Sequence, residues 1–197
     1  YDAYPNGFQR MIVPICTPSH RMHDRANVNE GLQYMMMEAG MDPAEFQGTG
    51  MEVRVAVQQA KRARAKRLGL DHYDNFTDGQ LTDSWATGYF PNVQIGMHPE
   101  GVFIMRFQPH PTDPDRMFYD IWTFELVPEG HEWPARPKHQ HFRHGEKSIG
   151  LVLDQDAANL PGVQAGMHSA AFEGLWIGAQ ELRIRHFHKV IDDYVYG

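Results

Sequence analysis

One cysteine, Cys16, stands among 197 residues. That excludes an internal disulfide, and it excludes an iron–sulfur cluster held by this chain alone, because such a cluster needs several thiolates or a mixed Cys/His set. Long apolar runs are missing too. None approaches the roughly 18 to 20 residues that a membrane-spanning helix needs, and no signal-peptide pattern opens the chain. Basic charge is scarce: 18 Lys and Arg against 25 Asp and Glu leave a formal charge of −7, the wrong sign for a surface that must follow nucleic-acid phosphates. There is no G-x-S-x-G elbow, phosphate loop, G-x-G-x-x-G or H-E-x-x-H, which leaves the common hydrolase, nucleotide-binding and zinc-protease chemistries without support. Internal repeats and low-complexity segments are absent as well. What remains is a cytoplasmic globular chain without nucleic-acid or membrane partners. It is expected to form a single domain that buries about 70% of its unfolded surface. A start at Tyr1, inside a strand-like run, suggests a piece of a longer polypeptide.

The order of elements is legible from periodicity and punctuation. Residues 8 to 16 read as a strand, and TPSHRMHDR after it reads as a loop. Helices follow over 28 to 39 and 51 to 68, stopped by Gly40 and Gly69. The run KRARAKR at 61 to 67 is the one basic exception, and it reads as a solvated face at the negative end of the second helix. Then come four strand-like segments, DSWATGYF, VQIGMH, VFIMRFQP and MFYDIWTFEL, separated by short turns, as in an antiparallel meander. In the third, Phe103, Met105 and Phe107 share one face. A polar loop, the apolar run SIGLVL, the stretch DQDAANLPGVQAG and a last helix from about 178 to 196 should cover that face. The fold class is therefore α+β, with helices on one side of the sheet and a cavity between the layers.

Twelve histidines invite metal sites, yet each cluster has a plainer reading. His20 and His23 beside Asp24 lack a helix to aim them. His139, His141 and His144 lie in a Pro-rich loop. His186 and His188, two apart on a helix, point about 200° from each other, so one should pack and the other stay exposed. Cys16 reads as a small buried thiol. In DQDAAN, Asp154, Asp156 and Asn159 are good helix starters. Asp156 and Asn159 also share a helix face, so that a carboxylate could turn toward the sheet, where it would need a partner or a metal. Spacing alone leaves capping and metal binding both open.

FPNVQIGMHPEGVFIMRFQPHPTDPDRMFYDIWTFEL, then DQDAANLPGVQAGMHSAAFEG and ELRIRHFH, resemble the catalytic domain of the large subunit of Rieske-type aromatic-ring-hydroxylating oxygenases. The shared marks are Phe-Pro-Asn at a strand end, the Asp113-Pro114 turn, Asp156 eight residues before the Gln164 of Val-Gln-x-Gly, and the closing His-Phe-His. The resemblance implies a helix-grip sheet with a long C-terminal helix and a mononuclear non-haem Fe(II) on two histidines and one carboxylate, with Asp156 as that carboxylate. It also implies a 2Fe-2S Rieske cluster in an upstream domain, dioxygen and an apolar, aromatic substrate. Electrons would come from NAD(P)H through a reductase or ferredoxin, in a homotrimeric parent. Phe103, Met105, Phe107 and Asn159 are the expected substrate-pocket residues, with core packing as their alternative. The family's His-x-x-x-x-His, which lies upstream of the opening strand, has no counterpart at that place here, and no Cys-x-His or Cys-x-x-His occurs, so this chain alone is expected to be metal-free. A helix-grip module that binds a hydrophobic small molecule without chemistry is the competing expectation.

Overall fold

The computed structural model describes residues 1–18 and 22–197. Six strands form one antiparallel sheet in chain order: β1 (Asp2–Ala3), β2 (Gln9–Val13), β3 (Ser84–Tyr89), β4 (Val93–His98), β5 (Gly101–Pro109) and β6 (Met117–Glu125). The turns that punctuate the sequence set the last four strands beside one another. The register pairs Gly88 with Gln94, Gln94 with Met105 and Phe107 with Tyr119, so these side chains stand on one face.

Between β2 and β3 the chain leaves the sheet for a helical excursion: α1 (Met22–Ala26), α2 (Glu30–Glu38), α3 (Val53–Arg67) and α4 (Asp78–Thr82). The segment TPSHRMHDR, expected as a loop, thus contains a short helix in its described part; His20 lies outside the described residues. Asn29 caps α2 by accepting the Leu32 N–H, and Thr77 with Gln80 forms a capping box on α4. Gly40 and Gly69 follow α2 and α3 with φ of +78° and +69°, the left-handed conformation that ends helices most cheaply in glycine.

The excursion holds the main core. Leu32 and Met36 from α2 meet Val53 and Val57 from α3, with Cys16 and Ala39, while Ala65, Tyr73 and Leu81 form a second cluster. The i, i+4 spacing of each helical pair puts both members on one stripe. The basic run, expected as a solvated face, divides in two. Lys61 pairs with Glu100 at 3.0 Å, and Arg62 donates to the Tyr73 and Phe76 carbonyls and to Asp78. Arg64, Lys66 and Arg67 stay exposed. Just upstream, Arg54 reaches Asp83 and the Ile15 carbonyl. These cations clamp α3 across one end of the sheet.

Two helices complete the chain: α5 (Leu151–Met167) and α6 (Leu182–Tyr196). The apolar run SIGLVL is no strand. Its second half is the first turn of α5, which begins before Asp154 and Asp156 rather than being capped by them in the usual first position. Pro161 lies within α5. No helix among the described residues is long and apolar enough to cross a membrane. The accessible surface is 14909 Å², against about 9,500 Å² for a compact monomer of 22.6 kDa. The expected burial is therefore not reached. The shortfall arises where α5 and the irregular stretches on either side of it lie mostly exposed.

Candidate functional site

A cavity of about 1000 Å³ separates the sheet from α5 and α6, at the upper end of the range for small-molecule pockets. Its floor is the sheet face on which Met11, Ala86, Gln94, Met105, Phe107 and Tyr119 alternate with residues of the opposite face. Its roof is one stripe of α5, Leu153, Asp156, Ala157 and Leu160, continued by Arg183, Ile184 and Phe187 of α6. The spacing i, i+3, i+4, i+7 on α5 is that of a helix with a single face turned inward.

The floor is built from rings and a thioether. Phe107 and Tyr119 stack at 4.8 Å with 10° between their planes, and the Tyr119 hydroxyl donates to Met105 Sδ at 2.8 Å. Burial pushes the Tyr119 phenol above its ordinary pKa, and the nearby Asp156 carboxylate adds to that push. Asp156 thus faces the floor from the roof, at the exposed mouth of the cavity. Asn159 also lines the cavity, with its amide turned back to donate to the Gln155 carbonyl at 3.1 Å. Phe103 shares the face of Met105 and Phe107 but lies outside the cavity. It pairs with Gly96 on the neighbouring strand.

Asp154 lies inside α5 and caps none of its N–H groups, reaching back instead to the residues before the helix. It accepts the Ile149 N–H at 2.9 Å and the Ser148 hydroxyl at 2.6 Å, and these bonds hold its carboxyl below the usual range. The far end of α5 is tied to the β5–β6 turn, where Gln164 Nε2 donates to Asp115 Oδ1 at 2.9 Å and His168 Nε2 lies 3.3 Å from the same oxygen. At the α6 end, Phe90 stacks on Tyr194 at 5.0 Å and meets Phe187 at 5.8 Å. There the Tyr1 hydroxyl joins Gln9 Oε1 and His186 Nδ1 at 2.8 and 2.9 Å.

The histidines disperse. His23 is exposed beside Asp24, His139, His141 and His144 lie exposed in an irregular stretch, and His188 is exposed while His186 is partly buried. Cys16 is buried, with its thiol pushed up by that burial. Among the described residues no three His, Cys, Asp or Glu side chains stand close enough to hold a metal ion. The described residues therefore do not assemble two histidines and one carboxylate, and Asp156 is the one carboxylate among those that line the cavity.

Most of the cavity lining escaped the sequence reading, Met117, Tyr119 and Arg183 among it. Met117 and Tyr119 had a usable signal, since β6 alternates as β5 does and Tyr119 stands opposite Phe107. Arg183, a single cation on a helix, had none. Compared with known proteins, residues 17–197 match the family described as ring hydroxylating alpha subunit (catalytic domain). No curated protein matches the chain, and no solved structure does.

Proposed function

The chain belongs to the ring-hydroxylating alpha-subunit family, in its catalytic domain, and from there we propose that it supplies the substrate cavity of a Rieske non-haem iron oxygenase together with one iron ligand, Asp156. The observation that carries this reading is the place of Asp156. It sits eight residues before Gln164, on the α5 stripe that roofs an apolar cavity, and no cation among the described residues pairs with it. A carboxylate so placed suits a hard divalent metal. The remaining ligands and the 2Fe-2S cluster come, on this reading, from outside residues 1–197, and the assembly is a cytoplasmic homotrimer. The oxygenase uses dioxygen and electrons from NAD(P)H, delivered through a reductase or ferredoxin, and iron supplies the oxygen chemistry. This chain binds and orients the ring. Phe107 and Tyr119 offer a flat apolar floor, Met105 a polarizable contact, and Leu153, Leu160 and Phe187 apolar contact from the roof.

Metal analysis of the full-length oxygenase tests the assignment. Asp156→Ala should lose the mononuclear iron while the visible absorbance of the 2Fe-2S cluster is unchanged. Iron retained at the unsubstituted level would sink the ligand role. The dispersed histidines favour the second reading, a helix-grip module that binds a hydrophobic molecule without a metal. The same measurement separates the two, because on that reading the unsubstituted full-length protein carries no mononuclear iron.

A further inference from the structure

Five arginines among the described residues are partly buried: Arg10, Arg54, Arg62, Arg106 and Arg183. Four of them pair with a carboxylate, at Asp2, Asp83, Asp78 and Asp120 respectively, with contacts of 2.6 to 2.8 Å. Arg183 is the exception. It pairs with no carboxylate among the described residues, and it lines the cavity. A guanidinium taken partly out of water without a counter-charge is unfavourable unless something else brings the charge. The space beside it is the cavity. Arg116, exposed at the cavity rim, is likewise without a carboxylate partner among the described residues.

We infer that Arg183 recognises an anionic group on the substrate, and that the cavity takes an aromatic molecule bearing a carboxylate. The inference rests on the oxygenase reading for the identity of the cavity as the substrate site. The planar guanidinium fork matches a carboxylate with two parallel hydrogen bonds. The floor of Phe107, Tyr119 and Met105 takes the ring. A single guanidinium fork offers one bidentate face, which makes a single carboxylate the fitting anion. Arg183 thereby sets which end of the ring points away from Asp156, so that it determines specificity and position without itself reacting.

The test compares two probes of nearly equal shape, 2-naphthoate and neutral 2-naphthamide, binding to the intact oxygenase by isothermal titration calorimetry. The acid should bind about tenfold or more tightly than the amide. Arg183→Gln should erase that preference by weakening the acid far more than the amide, whereas Arg116→Gln at the rim should alter it much less. If Arg183→Gln loses the amide as well, Arg183→Met, which keeps the apolar stem, takes its place. Equal binding of the two probes, or a preference that survives loss of the guanidinium, overturns the inference. Iron content keeps the two readings apart. An acid preference lost with Arg183 in a protein that holds no mononuclear iron would sink the oxygenase reading alone. Iron lost on Asp156→Ala without any acid preference would sink this inference alone.

Discussion

The helical excursion and the cavity roof are built to different standards. Among the described residues, nine of the ten buried apolar ones lie between Cys16 and Leu81, while Val190 alone represents the C-terminal helices. In the excursion Met36 and Val53 are 0% exposed; on α5, Val152, Leu160 and Val163 are roughly half exposed or more, at 66%, 49% and 55%. Arg54, Lys61 and Arg62 of α3 are paired, whereas Asp156 and Arg183 face a void. Stability and function have thus been divided along the chain. The part that touches ligand has few internal contacts and low local stability, as a ligand-binding element needs.

Core truncation should break that comparison most sharply. Met36→Ala is expected to cost about 2–5 kcal/mol in denaturant unfolding, since it empties a fully enclosed site. Val163→Ala on α5 should change stability by no more than about 0.5 kcal/mol. Equal losses would erase the distinction. A smaller effect is expected at the clamp between α3 and the sheet. Burial alone would raise the Glu100 pKa, but hydrogen bonds from His98 and Lys61, with the charge of Lys61, hold it at about 2 against an ordinary 4.5. A depressed folded-state value means that the stabilisation is complete above the unfolded value and lost as pH falls from 4.5 toward 2. Glu100→Gln should cost about 1–3 kcal/mol at neutral pH, and its stability should fall less steeply with acid than that of the unsubstituted chain. Parallel acid profiles would deny Glu100 this role. The smallest effect is expected at Asp115, which holds Gln164 and His168 from an exposed turn. Asp115→Ala should cost no more than about 1 kcal/mol. Amide exchange should nevertheless quicken in the C-terminal half of α5 and stay unchanged in α3; unaltered exchange in α5 would mean that the tether carries nothing.

Much of the fold could be read from residue order because local rules and tertiary structure agree there. The four strands of the meander, the second long helix and the C-terminal helix fall within a few residues of their expected bounds, since turn residues and apolar periods coincide. The α+β layering follows from the same patterns. Alternation also told which face Phe103, Met105 and Phe107 share, but not how far the covering helices reach along it, and Phe103 lies beyond the cavity for that reason. The segment around Met22 makes a turn of helix that composition did not announce. SIGLVL could be strand or helix by its apolar content, and tertiary context decided. The clamp made by Lys61 and Arg62 was hidden because a basic run looks the same whether its partners are solvent or distant carbonyls. Arg183 was hidden more deeply, for its meaning lies in a partner that is missing, and no spacing rule encodes a missing partner.

Pro161 gives α5 a joint. Its nitrogen cannot donate to the Ala157 carbonyl, Gly162 follows it directly, and the rod is divided between Asp156 and Asn159 on one segment and Gln164 and His168 on the other. The outer segment is moored to the β5–β6 turn. The inner one carries the carboxylate over the cavity with one backbone bond fewer to restrain it. Any rotation about that missing rung would move Asp156 and leave the mooring in place.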